Sequence, residues 1–384
     1  MPLYNHHFTD LTILVVSLGA LYLVSHWLLQ TSWVARKPSR VQSVRVLTAL
    51  AAVLMVAGMA LTFRRIAVYV PVWWSTWIKG IGITVCVWTV ALVPVAWFWK
   101  SRPAAQFDPG RRVLLNAARV ATFSAPVVLT GFAFVRRNDL RLQEVDIAVP
   151  GLSKDLEGLR LVQLSDIHMS PFLSETDLAR AVDMANETKA HVALVTGDLI
   201  SVRGDPLDVC LRQLARLKTD AGTLGCLGNH EIHAASSDYT TERGARLGID
   251  FLRGRARILK FGNAPLNFGG VDYQRFGYPY LVRTAGLVQP GMPNILLSHN
   301  PDVFPVAARQ GWNITLGGHT HGGQVNFEIL STNVNIMRFY TPYVYGSYSR
   351  EGSSIFVTRG IGTVGIPARI GAPPEVALIR LRMA

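Results

Sequence analysis

Five short clusters of metal-binding residue types lie in the C-terminal two-thirds of this 384-residue chain. Each cluster follows a run of apolar, often β-branched residues, which is typical of a buried strand. The clusters are Asp166-Ile167-His168, Gly197-Asp198, Gly228-Asn229-His230, Ser298-His299 and Gly317-Gly318-His319-Thr320-His321. They contain two Asp, one Asn and five His. Two Asp, one Asn and four His are a ligand set typical of a dinuclear metal centre. Such centres hydrolyse phosphate esters.

The carboxylate clusters have spacings that suit metal binding. Asp166 and His168 occupy alternate positions at a strand end, so both side chains can turn towards one ion. An Asp-x-His motif on its own more often marks a surface turn. Asp198 follows Gly197, which permits a tight turn, and its two carboxylate oxygens can bridge cations about 3.5–4 Å apart.

The remaining clusters add neutral ligands. Asn229 can offer its side-chain oxygen to a metal, although an Asx turn after Gly228 is the ordinary alternative. Pro301 disfavours a helical conformation at the residue before it, which places His299 at the end of a strand. His319 and His321 alternate within a Gly-rich loop, where the backbone can pass close to a metal or substrate.

The order of these clusters resembles the signature of the calcineurin-like metallophosphoesterases over about residues 160–325. The segment Gly317–Gln324, GGHTHGGQ, is its most specific part. The resemblance implies an α/β fold, a four-layer α/β/β/α sandwich, with the site where the strands end. It also indicates the membrane-anchored subgroup, because apolar stretches precede the motifs.

The resemblance assigns a role to each clustered residue. It gives the first metal the ligands Asp166, His168, Asp198 and His321. It gives the second metal Asp198, Asn229, His299 and His319. The resemblance makes Asp198 the ligand that bridges the two metals and also a catalytic residue. It makes His230 a catalytic histidine that binds no metal and protonates the leaving oxygen. Mixed nitrogen and oxygen ligation suits two divalent ions of Mn, Fe, Zn or Ni better than Mg or Ca.

The chain departs from the family pattern after Asp198. The family usually continues G-D-x-x-D, and the second Asp orients the catalytic histidine. Here that position is Ser201, which can form a hydrogen bond but carries no charge. Asp205, four residues further on, is the alternative support for His230.

The charge of the chain is unevenly distributed. Residues 1–137 hold 14 Lys and Arg against two acids, and eight of the nine Trp. Basic loops between Trp-rich apolar runs indicate membrane anchoring rather than nucleic-acid binding. Four stretches approach the roughly 20 residues that span a bilayer, near 11–29, 46–63, 80–99 and 113–135. Buried helices of a soluble domain are the alternative interpretation.

The loop charges predict a topology. Residues 1–10 lack Lys and Arg, so the first stretch does not resemble a cleavable signal peptide. Eight Lys and Arg follow the first and third stretches, against six on the opposite side. The positive-inside rule therefore predicts a multi-pass cell-membrane protein with its catalytic domain outside the cytoplasm. A fifth span near the Trp-rich residues 66–79 would reverse this orientation.

The predicted domains are an all-α transmembrane domain of about four helices over 1–137 and a metallophosphoesterase domain over 138–384. In the second domain, strands are predicted at 140–149, 161–165, 192–196 and 222–227, and helices at 174–189 and 206–218. Three cysteines make a disulfide framework unexpected. A single bridge between Cys210 and Cys226 remains an alternative.

The sequence thus predicts a membrane-anchored phosphohydrolase of phosphoester or pyrophosphate bonds. Its expected partners are the lipid bilayer and a phosphoester substrate, with no nucleic acid and no protein partner predicted. A membrane anchor favours a lipid-linked substrate such as UDP-2,3-diacylglucosamine, since some relatives in the family resemble pyrophosphatases of that lipid. The alternative is a non-catalytic membrane receptor or scaffold with a degenerate phosphoesterase domain, for which Ser201 would be a sign of decay.

Overall fold

A computed structural model describes residues 6–100, 109–329 and 332–384. The chain divides into two compact units, one ending at Phe132 and one beginning at Ala133. The first unit is helical and the second combines strands with helices. The loop that contains Arg102, one of the basic residues used for the topology, lies outside the described residues.

The N-terminal helices follow one another with short connections. They are α1 (His6–Gln30), α2 (Ser32–Ala35), α3 (Pro38–Ala60), α4 (Arg64–Ala67), α5 (Val72–Lys100) and α6 (Pro109–Arg136). Within the described ranges, four of these helices are long and apolar enough to cross a membrane, namely α1, α3, α5 and α6. Residues 72–79 of the Trp-rich segment form the first turns of α5, so within the described ranges the structure has no separate helix that could be a fifth span there.

Helices α3 and α5 approach each other closely at two glycines. A Cβ atom on Gly82 would overlap the backbone oxygen of Leu54 and the Cα atom of Gly58. Small residues at such a contact let helix backbones pack tightly, which is a common way for membrane helices to associate. The buried side chain of Met55 lies beside this contact in the sequence.

The C-terminal unit alternates strands and helices as predicted. Its helices are α7 (Glu175–Glu187), α8 (Leu207–Leu214), α9 (Asn229–His233), α10 (Ser237–Arg246) and α11 (Phe304–Gln310). Its strands are β1 (Arg141–Val149), β2 (Arg160–Leu164), β3 (Val192–Thr196), β4 (Thr223–Cys226), β5 (Ile249–Phe251), β6 (Arg255–Phe261), β7 (Ala264–Gly270), β8 (Asn294–Leu297), β9 (Ile314–Gly317), β10 (Asn326–Ile329), β11 (Thr332–Asn335), β12 (Gly346–Arg350), β13 (Ser353–Val357) and β14 (Glu375–Met383).

Two six-stranded sheets organise this unit. The first has the order β1-β14-β2-β3-β4-β5, and the second has the order β12-β13-β9-β8-β7-β6. Strands β2, β3, β4 and β5 run parallel in the first sheet, as do β13, β9, β8 and β7 in the second. Parallel neighbours end at the same edge of a sheet, so residues that follow them are brought together.

Alternate residues of each strand separate the layers. Leu161 and Leu194 of the first sheet pack with Ile295 and Leu316 of the second in one apolar cluster between the sheets. The opposite faces are covered by helices. Val162, Val195 and their neighbours pack against α7 and α8, while α11 helps to cover the outer face of the second sheet. The order is helix, sheet, sheet, helix, which confirms the predicted four-layer α/β fold.

Local details largely agree with the sequence. Ser174 caps α7, and its side chain exchanges hydrogen bonds with Asp177 in a capping box. Helix α8 ends at Leu214, four residues before the predicted end, because residues 215–216 form a turn and the helix does not resume after it. Cys86, Cys210 and Cys226 are all buried free thiols, so the alternative of a Cys210–Cys226 bridge is wrong.

Candidate metal centre

The predicted site residues follow the carboxyl ends of five strands. Asp166 and His168 follow β2, Asp198 follows β3, and Asn229 and His230 begin α9 just after β4. The loops after β8 and β9 contribute His299, His319 and His321 from the second sheet. Because β2, β3 and β4 are parallel neighbours, as are β8 and β9, the two sheets deliver all eight side chains to one region.

Five of the seven predicted metal ligands have left-handed backbone. The φ angles are 50° at Asp166, 47° at His168, 54° at Asp198, 73° at His319 and 53° at His321. Residues other than glycine rarely adopt positive φ, and they do so at a cost of about 1–3 kcal/mol each. The loops therefore bend each chain segment sharply after its strand and turn the ligand side chain inwards.

Two glycines allow the clusters to meet. A Cβ atom at Gly228 would overlap Asp198 Oδ1, and a Cβ atom at Gly318 would overlap Asp166 Oδ2. Any larger residue at either position would displace a predicted metal ligand. Steric crowding by the predicted ligands therefore explains why Gly228 and Gly318 are glycines.

One group of ligand atoms matches the predicted first metal. Asp166, His168 and His321 have ligand atoms within 4.8 Å of one another. The Nε2 atoms of His168 and His321 are 3.0 Å apart, and Asp166 Oδ1 lies 3.4 Å from His321 Nε2. Asp198 Oδ2 is 3.5 Å from His168 Nε2, so the predicted bridging carboxylate reaches this group.

A second group matches the predicted second metal. Asp198, His299 and His319 also have ligand atoms within 4.8 Å of one another. His299 Nε2 lies 2.9 Å from Asp198 Oδ2, the same oxygen that approaches His168. His230 forms a third group with His168 and Asp198, although the resemblance assigns it no metal.

Burial sets the protonation of most of these groups. It lowers the pKa of His168 to about 3 and that of His319 to about 4, so both rings are neutral and offer a lone pair at neutral pH. Burial also lowers the pKa of His321 well below its usual value. Burial raises the pKa of Asp166 to about 6, and the nearby Asp198 charge adds to this effect.

The carboxylates require positive charge at His299. Burial disfavours protonation of this ring, but the charges of Asp198 and Asp166 outweigh burial and raise its pKa to about 10. Burial likewise opposes ionisation of Asp198, yet His299 holds the pKa of that carboxyl well below its usual range. Without a metal, a proton on His299 supplies the cation that the buried carboxylates demand.

The donor set fits metal ions. His299 Nδ1 lies 2.7 Å from Thr196 O and must donate to it, so Nε2 is the ring nitrogen that faces the site. There Nε2 lies 2.9 Å from Asp198 Oδ2, and a divalent cation could take the place of the proton between them. Within the described part of the chain, the buried Asn229 Oδ1 has no hydrogen-bond partner; buried polar atoms are seldom left unpaired, and a divalent cation would satisfy it.

Ser201 supports His230 through its backbone. His230 Nδ1 lies 2.5 Å from Ser201 O, and a carbonyl oxygen can only accept, so Nδ1 carries the proton. The Ser201 hydroxyl instead lies 3.1 Å from His168 Nδ1. Asp205 Oδ2 accepts hydrogen bonds from the backbone N–H groups of Ser201 and Val202, so it holds the loop that carries Ser201 O.

Glu231 is the main site residue that the sequence reasoning missed. Its fully buried carboxylate accepts hydrogen bonds from the backbone N–H groups of Asp198, Leu199 and Gly228, at 2.7–3.0 Å. It ties the loop after β3 to the loop after β4. The motif Gly228–Glu231 contained this signal, because an acid directly after two site residues can be expected to face inwards.

Arg369, which follows β13, and Ser165, which follows β2, also complete the centre. The buried guanidinium of Arg369 lies 3.4 Å from His321 Nδ1 and donates to the backbone oxygens of Gly362 and Ala372. Ser165 Oγ donates to Asp166 Oδ2 over 2.6 Å. Neither residue belongs to a recognisable motif, so the sequence offered no signal for them.

The family comparison agrees with this geometry. The family model for the calcineurin-like phosphoesterases matches residues 159–323, which run from the start of β2 through the His319–His321 loop. All eight predicted site residues lie within the match. The predicted resemblance is therefore confirmed.

Two of the similar proteins are named transmembrane proteins, and a third is named a phosphodiesterase. The "Transmembrane protein with metallophosphoesterase domain" of Danio rerio is 31% identical over 259 residues, 64% of this chain and 58% of its own length. Its Bos taurus namesake is 26% identical over 305 residues, 74% of this chain and 67% of its own. "Phosphodiesterase YaeI" of Escherichia coli is 25% identical over 228 residues, 58% of this chain and 82% of its own.

The chain spans little more than half the length of the zebrafish relative. The family match covers residues 159–323, and the four long apolar helices precede it. Residues 159–323 are thus similar to the calcineurin-like phosphoesterases, and in this chain membrane-type helices come before that segment.

Proposed function

We propose that this protein is a membrane-anchored phosphohydrolase with a dinuclear metal centre, which cleaves phosphoester or pyrophosphate bonds. In this proposal, residues 1–137 form the transmembrane domain and residues 138–384 form the catalytic domain. The observation that supports the proposal is the convergence of six predicted nitrogen and oxygen ligands, Asp166, His168, Asp198, His299, His319 and His321, from four strand ends. The phosphodiesterase name of the E. coli relative points to the same reaction class.

The ligands divide into two sets that share Asp198. Asp166, His168 and His321 would hold one ion with it, and Asn229, His299 and His319 would hold the other. Mixed imidazole and oxygen ligation favours Mn, Fe, Zn or Ni. When bound, two divalent cations supply Lewis acidity that polarises the phosphoryl group and activates water.

His230 is placed to move a proton. Its Nδ1 proton is fixed by Ser201 O, so Nε2 is the nitrogen that can exchange a proton with the substrate. In its protonated form, Nε2 donates to the leaving oxygen. The backbone N–H of His230 also donates to Asp198 Oδ1 over 2.9 Å. This hydrogen bond fixes the position of His230 relative to the carboxylate of Asp198.

Turnover of a soluble diester tests the proposal. The purified full chain should hydrolyse bis-p-nitrophenyl phosphate when supplied with Mn, and Asp198→Asn should abolish turnover and lower the bound metal. Asp183→Asn, the same change on an exposed residue of α7, is the matched control and should retain both. Absence of turnover with Mn, Fe, Zn and Ni alike would contradict the proposal and favour the non-catalytic receptor or scaffold.

We propose further that the substrate is a lipid-linked phosphodiester or pyrophosphate. The four helices long and apolar enough to cross a membrane support association with a bilayer, where such substrates are concentrated. UDP-2,3-diacylglucosamine is the specific candidate, and its hydrolysis would release UMP and a lipid monophosphate. A panel of lipid and nucleotide phosphodiesters decides this point, because activity confined to soluble diesters would refute the lipid-linked class and leave a general phosphodiesterase.

A further inference from the structure

Two segments beside the metal cluster expose aromatic and apolar side chains. Among the described residues that follow the end of α6 at Arg136, the five most exposed large hydrophobic residues all belong to the segments 276–282 and 339–340. The remaining exposed ones there reach 52% at most. The five are Phe339 (87%), Phe276 (72%), Tyr340 (71%), Tyr278 (61%) and Val282 (61%). We call these five residues the aromatic rim.

The aromatic rim is strongly biased in charge. The segments 273–283 and 336–345 contain three arginines and not one Asp or Glu. Those arginines, Arg275, Arg283 and Arg338, are all exposed. The guanidinium of Arg275 lies over the ring of Tyr278, 5.5 Å from its centroid. A surface that combines exposed aromatic residues with exposed arginines is complementary to an anionic lipid surface.

Both segments are attached to the site. The ring of Tyr273 lies 5.3 Å from that of His319 and 6.2 Å from that of His299, measured between centroids. Asn335, which precedes the second segment, donates from Nδ2 to the backbone oxygen of Gly322 over 3.0 Å. The two segments therefore begin next to the ligands from β8 and β9.

Side-chain hydrogen bonds hold the segments on one common loop. Asn300, directly after His299, donates from Nδ2 to Gln274 O over 2.6 Å. Asp302, two residues further on, accepts from Thr341 Oγ1 at 2.5 Å. The aromatic rim thus projects from segments that are fixed to the loop carrying a predicted ligand.

We propose that the aromatic rim inserts into the surface of an anionic bilayer and so presents the metal centre to phosphate groups at the membrane. Exposed apolar patches of this kind mark interaction sites, and aromatic side chains favour the interface between headgroups and acyl chains. We choose a bilayer as the partner of this surface because the chain has four apolar helices that can anchor it in a membrane. Anchoring keeps the domain close to the bilayer, which raises the effective concentration of lipid at the aromatic rim. This inference deepens the proposed function, since it names the location of the substrate.

Depth-dependent fluorescence quenching tests the insertion on the full chain. Phe276→Cys and Phe339→Cys, made separately, are labelled with an environment-sensitive fluorophore, and the native thiols are all buried. The protein is reconstituted in phosphatidylcholine–phosphatidylglycerol vesicles containing phospholipids with brominated acyl chains. Ile258→Cys, on β6 and 45% exposed, is the matched control. Using two rim positions guards against one label disturbing its own segment.

We expect both rim labels to be quenched about twofold or more relative to the Ile258 label, since an inserted apolar surface lies roughly 5–10 Å into the interface. Replacing phosphatidylglycerol by phosphatidylcholine should reduce this difference, as should the triple variant R275Q/R283Q/R338Q. Equal quenching at all three positions would overturn the proposal and favour a protein partner for the aromatic rim. The measurement needs no turnover, so its failure is distinguishable from a failure to hydrolyse bis-p-nitrophenyl phosphate.

Discussion

His299 and His230 lie in the same cluster, but their surroundings suit different tasks. Both donate from Nδ1 to a backbone oxygen, Thr196 O and Ser201 O respectively. His299 Nε2 then faces two carboxylates, at 2.9 Å from Asp198 and 3.9 Å from Asp166. The ring of His230 instead packs edge-on against His168, with centroids 4.7 Å apart. This difference favours a ligand role for His299 and a proton-transfer role for His230.

The variants His230→Gln and His299→Gln should therefore separate metal binding from catalysis. For His230→Gln we expect kcat to fall by roughly 10²- to 10⁴-fold, the usual contribution of a general acid, with unchanged metal content. For His299→Gln we expect metal to be lost as well. Elemental analysis of the purified proteins measures the metal content, and diester turnover measures kcat. Loss of metal in His230→Gln would show that His230 is itself a ligand.

Glu231 should matter for the assembly of the site, although neither metal binding nor proton transfer is assigned to it. In Glu231→Gln, an amide NH2 group replaces one acceptor oxygen and faces backbone N–H donors. Each buried donor left unsatisfied costs about 1–3 kcal/mol, so we expect a lower Tm and weaker metal binding. Thermal unfolding and metal titration measure the two effects. Glu242→Gln, on the exposed surface of α10, is the control, and an equal effect of both changes would exclude the bracing role.

At the level of elements, strand ends set the positions of the ligands and loops set their directions. The sequence predicted the strands that carry Asp166, Asp198 and His299, because short β-branched runs bounded by Gly or Pro have few alternative structures. It could not predict the left-handed backbone of Asp166 and His321, since that conformation is imposed by packing against loops distant in sequence. The role of Arg369 could not be predicted for the same reason, because Arg369 contacts His321, which is 48 residues away in the sequence.

The loop between β3 and α8 has a brace that can be removed. Asp205 holds the N–H groups of Ser201 and Val202 at 2.9 and 2.8 Å, and Ser201 O in turn orients His230. In Asp205→Ala we expect kcat to fall while metal content and KM for bis-p-nitrophenyl phosphate stay close to those of the unchanged protein. Asp208→Ala, an exposed acid of α8, should have little effect. A kcat unchanged in Asp205→Ala would mean that the loop keeps its shape without this brace.

For the whole molecule, the charge asymmetry of the sequence bears on orientation in the membrane. Excess positive charge follows α1 and α5, at residues 36–45 and 100–112, with eight Lys and Arg against six near the other ends of the spans. The structure adds that residues 72–77 belong to α5, which leaves four candidate spans within the described ranges. An even number of spans places both ends of the helical region on the same side.

The catalytic domain should consequently face away from the cytoplasm, and cysteine accessibility can establish this. The native thiols are buried, so a cysteine introduced at Asp183 in α7 or at Arg40 in α3 would be the reactive one. We expect a membrane-impermeant maleimide to label Asp183→Cys in intact cells and to label Arg40→Cys only after lysis, because residue 40 lies beside the basic loop that the positive-inside rule retains in the cytoplasm. The opposite labelling pattern would place the metal centre in the cytoplasm, where the aromatic rim would meet the more anionic leaflet.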